Sequence, residues 1–373
     1  MTPTTPAAAA RRPAPALTPN QTSNQTSNQT PNQTPNPAPA TSRFGGAAAQ
    51  AAEQPRLAPA LAGQRLFFGQ GPSRVAAYLA DGLPAVGGAA RFGPEAAPML
   101  LVHSVNAAAS AAEVRPVYEA AAGMRPVMAL ELPGFGSSAR HARHFTPEVM
   151  TAAVLRAVEE FRRLGCPGPV DLLAVSLSCE FAARAALAHP TWFRSVSLVS
   201  PTGLESRRLE RYDAGRSKDK RWLRALLERG PWSHALFRLL TRKASMRKFL
   251  ERTWGSKEID EQLLDYNLLS VKEPGARHAP YAFIGGALFT RGAAHLYERL
   301  PQPVWLAHGT RGEFAKYDGL ETVQALSAWT INAFDAGAMP YFDDTAEFLD
   351  KQARFLRSVA AQGASAGSPT MAA

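Results

Sequence analysis

A serine placed between small residues is the first chemical group of note in this chain. Ser176 ends the apolar run that begins at Asp171 and precedes an alanine-rich helical pattern, with Ala174 two positions before it and Ser178 two positions after. That order reads as strand, sharp turn, helix. At such a turn the hydroxyl is held above the sheet edge, and small neighbours are needed because the backbone passes close to the adjacent strand and helix. The usual pattern is Gly-x-Ser-x-Gly, so both flanks depart from it while staying small. The plainer reading is a buried strand whose last serine caps the next helix. To act as a nucleophile the serine needs a base for its proton, an acid to orient that base, and amide donors where negative charge develops.

The elements that would position those groups alternate in type. Strand patterns run Pro98 to His103, Pro126 to Leu132, Val170 to Val175, Val196 to Val199 and Val304 to Ala307, with a weaker one at Trp329 to Phe334. Most are short, near-continuous apolar runs, as expected of strands buried on both faces. Helix patterns occupy Ala111 to Ala122, Pro147 to Leu164 with Thr146 as N-cap, Leu177 to Ala188 and Thr345 to Val359. The alternation predicts an α/β fold, a mostly parallel central sheet flanked by helices.

Two more junctions give the serine a context. Glu131 to Ser138 (ELPGFGSS) follows a strand, and Leu100 to Asn106 (LLVHSVN) closes another. The first resembles the Asp-x-Pro-Gly-x-Gly-x-Ser loop of the α/β-hydrolase superfamily, and the second resembles its strand followed by His-Gly. Over roughly Pro98 to Val359 the chain is similar to serine hydrolases of this superfamily, with a less familiar insert at 205 to 295. The resemblance implies that Ser176 is the nucleophile and that the backbone N–H groups of Leu177 and Val105 form the oxyanion hole. Ser104 stands where the family has Gly, which bears on the aim of the Val105 amide. His103, Ser104, Gly134 and Gly136 belong to loops near the site, and His103 is read as a structural residue bonded to loop backbone.

The remaining triad members would follow the serine, first an acid and then a histidine. At the usual acid position, three residues beyond Gly309, the chain has Gly312. Glu313 is the assignment there, with Asp318 and Glu205 as the other options. The late loop, Gly337 to Asp343, aligns with Gly-His-x-Pro-His, yet the two histidine positions hold Ala338 and Tyr341. The eight histidines are at 103, 141, 144, 189, 234, 278, 295 and 308, so none follows the last strand. His308 or His278 would have to come from places that spacing does not indicate. The Tyr341 phenol is a poor base at neutral pH, since its reference pKa is about 10. Ordinary triad catalysis is not expected.

Composition sets the remaining limits. The chain has 373 residues, 46% hydrophobic, with a formal net charge of +10. Residues 1–60 include Asn-Gln-Thr-Ser and Asn-Gln-Thr-Pro repeats between alanine and proline tracts, which predicts a disordered tail. The expected organisation is a hydrolase-type core at 61–204, a basic helical cap at 205–300, the last part of the core at 301–363 and a disordered end at 364–373. From Glu205 to Arg252 there are 15 Lys and Arg against 6 Asp and Glu, a net of +9, interleaved with apolar residues at helical spacing. The plain reading of that segment is a cap with solvated charges. The sharper one is a surface that meets anionic partners such as acidic lipid headgroups, acyl-CoA phosphates or fatty carboxylates. No nucleic-acid recognition motif accompanies the charge. Neither a transmembrane run nor a signal peptide is evident, and two cysteines at 166 and 179 give no disulfide framework or metal spacing, so a cytoplasmic setting without cofactor is expected.

Two function classes remain open. One is a serine-type hydrolase of an ester or thioester with an apolar acyl group. The other is an inactive relative that binds a small molecule, lipid or protein. Either way, Ser176 is expected partly exposed at the floor of a pocket roofed by residues 205–295.

Overall fold

The structure, a computed structural model, describes residues 57–80, 96–140, 145–205 and 213–366, with side chains omitted at 213–216 and 364–366. Residues 1–56 of the expected N-terminal tail and 367–373 of the expected disordered end lie outside these residues, as do His141 and His144; residues 57–60 are instead packed on the core, with Leu57 buried and the Ala60 N–H donating to Tyr78 Oη at 3.0 Å, and 364–366 are helical.

Eight strands form the central sheet: β1 (Gln64–Phe68), β2 (Val75–Leu79), β3 (Met99–Val102), β4 (Val127–Glu131), β5 (Val170–Val175), β6 (Phe193–Val199), β9 (Val304–Gly309) and β10 (Trp329–Phe334). Their order is β1-β2-β4-β3-β5-β6-β9-β10. Only β2 runs against its neighbours; the other pairings are parallel. A separate two-stranded sheet joins β7 (Asp213–Ser217) to β8 (Thr290–Arg291). Strands β3, β4 and β5 are buried along their whole length, which explains their unbroken apolar runs. At the sheet edge β10 is mostly half-buried, and its sequence signal is correspondingly weaker.

The described residues include twelve helices: α1 (Arg115–Ala121), α2 (Pro147–Arg163), α3 (Ser178–Ala188), α4 (Arg221–Arg229), α5 (Ser233–Leu240), α6 (Lys243–Trp254), α7 (Glu261–Ser270), α8 (His278–Ile284), α9 (Ala294–Glu298), α10 (Glu321–Gln324), α11 (Pro340–Asp343) and α12 (Thr345–Ala366). One face of the sheet packs on α2, α3 and α9, through residues such as Val154, Phe161, Phe181 and Leu296. The other packs on α1 and α12, where Trp305 sits in an aromatic cluster with Phe334, Phe348 and Phe355. Thr146 caps α2 by accepting from the Val149 N–H, with Pro147 at the first helical position.

Three sequence expectations need amendment. The helix expected over Ala111 to Ala122 is divided, a 3-10 turn at Ala111–Val114 leading into α1, with Pro116 at the start of the α-helical part. Strands β1 and β2 were not anticipated. Their sequences, QRLFF and VAAYL, carry polar and alanine residues of modest strand preference. Residues of the insert also contribute to the core: Met246, Leu250 and Trp254 of α6 and Leu263 and Leu264 of α7 join its α1/α12 side. Arg115 ties that arrangement by pairing with Asp260 at 2.7 Å.

Candidate active site

At the end of β5 the chain turns so sharply that Ser176 adopts φ 56°, in the left-handed region. Only one other described non-glycine residue, Ser200 at φ 47°, does so. A side chain there costs roughly 1–3 kcal/mol, so surrounding contacts must enforce the turn. They do so from several sides. The Ser176 N–H donates to Val199 O at 2.8 Å, and the Ser178 hydroxyl donates to the carbonyl of His103. Ala174 and Ser178, the two small flanks, are fully buried. The Ser176 side chain is half-buried, and its hydroxyl makes no hydrogen bond to a described residue.

Two backbone donors stand free beside this turn. Neither the Leu177 N–H nor the Val105 N–H donates to a described acceptor. Ser104, in place of the expected glycine, does not need a positive φ. Its N–H instead donates to Glu113 Oε2 at 2.8 Å, and Asn106 Nδ2 donates to Glu113 Oε1 at 2.6 Å. Glu113 is buried, and burial raises its pKa against the lowering effect of those donors. Sequence reasoning missed this carboxylate, although a lone acid within an apolar alanine-rich stretch was a usable signal. His103 is a structural link: Nε2 accepts from the Leu132 N–H at 3.0 Å, so Nδ1 carries the proton and donates to Ser104 O at 2.6 Å. Burial lowers its pKa to about 4, which keeps the ring neutral.

The Pro133 to Ser138 loop is drawn around Glu131. The carboxylate accepts from the Ser137 N–H, and the Ser138 hydroxyl donates to Glu131 O. Gly136, at φ 49°, lies so close that a Cβ would collide with that carboxylate. Gly134 donates to Ala139 O at 3.0 Å, and buried Arg140 holds the carbonyls of both glycines and Ser270 Oγ of α7.

Solved structures share this fold over most of the chain. A "probable hydrolytic enzyme" from Pseudomonas aeruginosa PAO1 is 18% identical with TM-score 0.59, the match covering 81% of this chain and 96% of that one. An esterase from Exiguobacterium antarcticum is 14% identical with TM-score 0.55, covering 79% and 100%. A membrane phospholipase A described as a bacterial virulence factor is 18% identical with TM-score 0.56, covering 79% and 86%. The chain has the α/β-hydrolase fold. No protein-family profile matches it, and no curated protein does.

Within the α/β-hydrolase fold the late loops depart furthest from expectation. Glu313, assigned as the acid, is exposed and faces Arg252 of α6 at 3.7 Å. It is a surface ion pair. Of the other acids, Glu205 is exposed and accepts from the Gly203 N–H at 2.9 Å, and Asp318 is exposed. Ala338 is half-buried and donates its N–H to Thr253 O at 2.9 Å. Tyr341 is fully buried, its hydroxyl has no partner among the described residues, and burial, then Glu113 and Cys179, push its pKa well above the usual phenol value. The phenol stays protonated and cannot serve as base. Beside it Gly337 lies against the α6 C-terminus, where a Cβ would collide with the Trp254 backbone. The loop that in the resemblance carries histidine is therefore packed against the insert.

No described histidine is hydrogen-bonded to Ser176. His308 ends the strand two places away, since Val175 pairs with Val199 and Val199 with Ala307. That puts its backbone roughly 10 Å from Ser176. Its Nδ1 lies 3.1 Å from Gly309 O and its ring centroid is 4.5 Å from that of Tyr317. Of the two cavities described, one lies between α1 and α12 and the other beside Gln70 and Arg156, and neither touches Ser176.

Proposed function

We propose that this protein is a slow serine-type hydrolase of esters or thioesters with an apolar acyl group, acylated at Ser176. The observation that carries the reading is a side-chain-bearing residue held at φ 56° with its hydroxyl unpartnered, next to two unused amide donors. A turn with no chemical role is better served by glycine. The amides would stabilise the oxyanion of a tetrahedral intermediate, with Glu113 fixing the loop that bears Val105. Attack needs the serine proton to leave. With no described imidazole in contact, the proton goes to solvent, so the reaction depends on hydroxide. The insert, residues 205–300, then acts as a cap whose basic and apolar surface meets anionic lipid, a source of such acyl groups.

A second reading has its own support. Contacts of Gly337 and Ala338 with Thr253 and Trp254 close off the place from which a histidine would reach the serine, as suits a relative that binds a ligand without turning it over. A fluorophosphonate probe separates the two. Slow labelling that disappears in Ser176→Ala supports the hydrolase; a wild type labelled no faster than Ser176→Ala, at long exposure and raised pH, leaves the binding protein. Parallel His141→Ala and His144→Ala variants show whether either histidine serves as the base.

A further inference from the structure

A cavity of about 530 Å³ lies between α1 and α12, at the edge of the sheet where the parallel strands begin. Ser176 is at the opposite edge, about 20 Å away along β5. The cavity is therefore a separate feature, and nothing said of it depends on the hydrolase reading. Its size is that of a small-molecule site.

Its walls are apolar: Met99 of β3, Val117 and Ala121 of α1, and Leu349, Ala353 and Leu356 of α12. With Ala360, the α12 residues recur at helical spacing along one stripe, roughly 16 Å of helix. One part of the lining is cationic. Arg125 and Arg194 both bind Asp171, at 2.6 Å through Arg125 Nη2 and 2.9 Å through Arg194 Nε, and Ser195 Oγ donates to the same carboxylate at 2.7 Å. Asp171 is 2% exposed, so two guanidinium groups share one buried carboxylate and one positive charge is left over. Nη1 of each arginine has no hydrogen-bond partner among the described residues. Arg357, also in the lining, is exposed and without an ion-pair partner among the described residues. Asp350 contributes the opposing charge at the rim, but Arg354 binds it. Gln352 is 4% exposed, and its Nε2 has no partner among the described residues.

We infer that this cavity binds a medium-chain fatty carboxylate, its chain lying along the α12 stripe and its carboxylate against Arg125, Arg194 and Arg357. A long apolar wall selects a chain. A surplus of one to two positive charges beside two aspartates selects a monoanion over a dianion.

Isothermal titration with decanoate, 1-decanol and acetate tests this directly. Wild type is expected to bind decanoate saturably, 1-decanol at least tenfold more weakly and acetate not at all. Ala353→Phe and Ala120→Phe, which fill the cavity from α12 and from α1, should each abolish binding at an unchanged melting temperature. Arg357→Gln should weaken it several-fold, and fluorophosphonate labelling of Ser176 should be the same in all variants. Absence of saturable decanoate binding, equal affinity for 1-decanol, or binding that survives in both Phe variants would each overturn the inference. If one Phe variant fails to fold, the other still decides.

Discussion

Ser176 holds the molecule's clearest conflict between stability and chemistry. Its left-handed φ strains any residue with a side chain, and its hydroxyl gains no described hydrogen bond in return. Replacing it with glycine should raise stability by about 1 kcal/mol while abolishing fluorophosphonate labelling. A destabilised Ser176→Gly variant would show that the hydroxyl has a structural role. Glu180, in the first turn of α3, carries a different strain. Thr202 Oγ1 and the Thr290 N–H donate to its buried carboxylate at 2.6 and 2.7 Å, yet burial raises its pKa to about 7. Below an unfolded value of about 4.5 both states are protonated and there is no penalty. As pH rises towards 7 the unfolded state ionises first, and stability falls by up to about 3 kcal/mol, then levels. His103 has the opposite slope, because its folded pKa of about 4 makes stability fall as pH drops through 6.5 towards 4. The measurable quantity is therefore the difference between wild type and Glu180→Gln in urea unfolding at pH 5 and pH 8. Wild type should lose ground to the variant at the higher pH; a pH-independent difference would mean that Glu180 is ionised throughout.

Between elements, the decisive contact joins α6 to the loop after β10. Trp254 is 3% exposed and packs on Phe342 with ring centroids 5.4 Å apart, while Thr253 O receives the Ala338 N–H. Trp254→Ala should cost about 3–5 kcal/mol by circular dichroism melts, as for other large buried aromatics. A loss below about 1 kcal/mol would mean the seal is loose. This contact was not legible in the sequence, because nothing local about Gly337 reveals that a helix some eighty residues earlier lies against it. Glu113 stood out as an acid in an alanine-rich stretch, but its role was not legible, because its partners, the Ser104 N–H and Asn106 Nδ2, come from a loop. By contrast β3, β4, β5 and β9 were legible because burial on both faces leaves an unbroken apolar run. The turn at Ser176 was legible because its steric demand falls on adjacent residues. Glu313 was read from its position in the resemblance, which cannot show that its side chain faces solvent and Arg252.

Across the whole molecule, charge and exposed apolar surface gather on the insert. Trp222 is 70% and Trp232 49% exposed, and Leu226, Leu239, Leu240 and Phe249 are also exposed. Arg238, Arg242, Lys243 and Lys248 among them form no ion pair with a described residue, whereas Arg247 binds Glu261. Changing those four cations to Gln should weaken cosedimentation with phosphatidylserine-containing vesicles, and added salt should do the same. Equal, salt-insensitive binding to neutral vesicles would remove the electrostatic part of the proposal. The central claim is a serine frame that works without an imidazole, and the pH dependence of aryl-ester hydrolysis by wild type and Ser176→Ala tests it most directly. Turnover is expected to depend on Ser176, to run about four orders of magnitude below a triad enzyme, and to keep rising with hydroxide to pH 10. Fast hydrolysis that levels off near pH 7, or hydrolysis unaffected by Ser176→Ala, would contradict it.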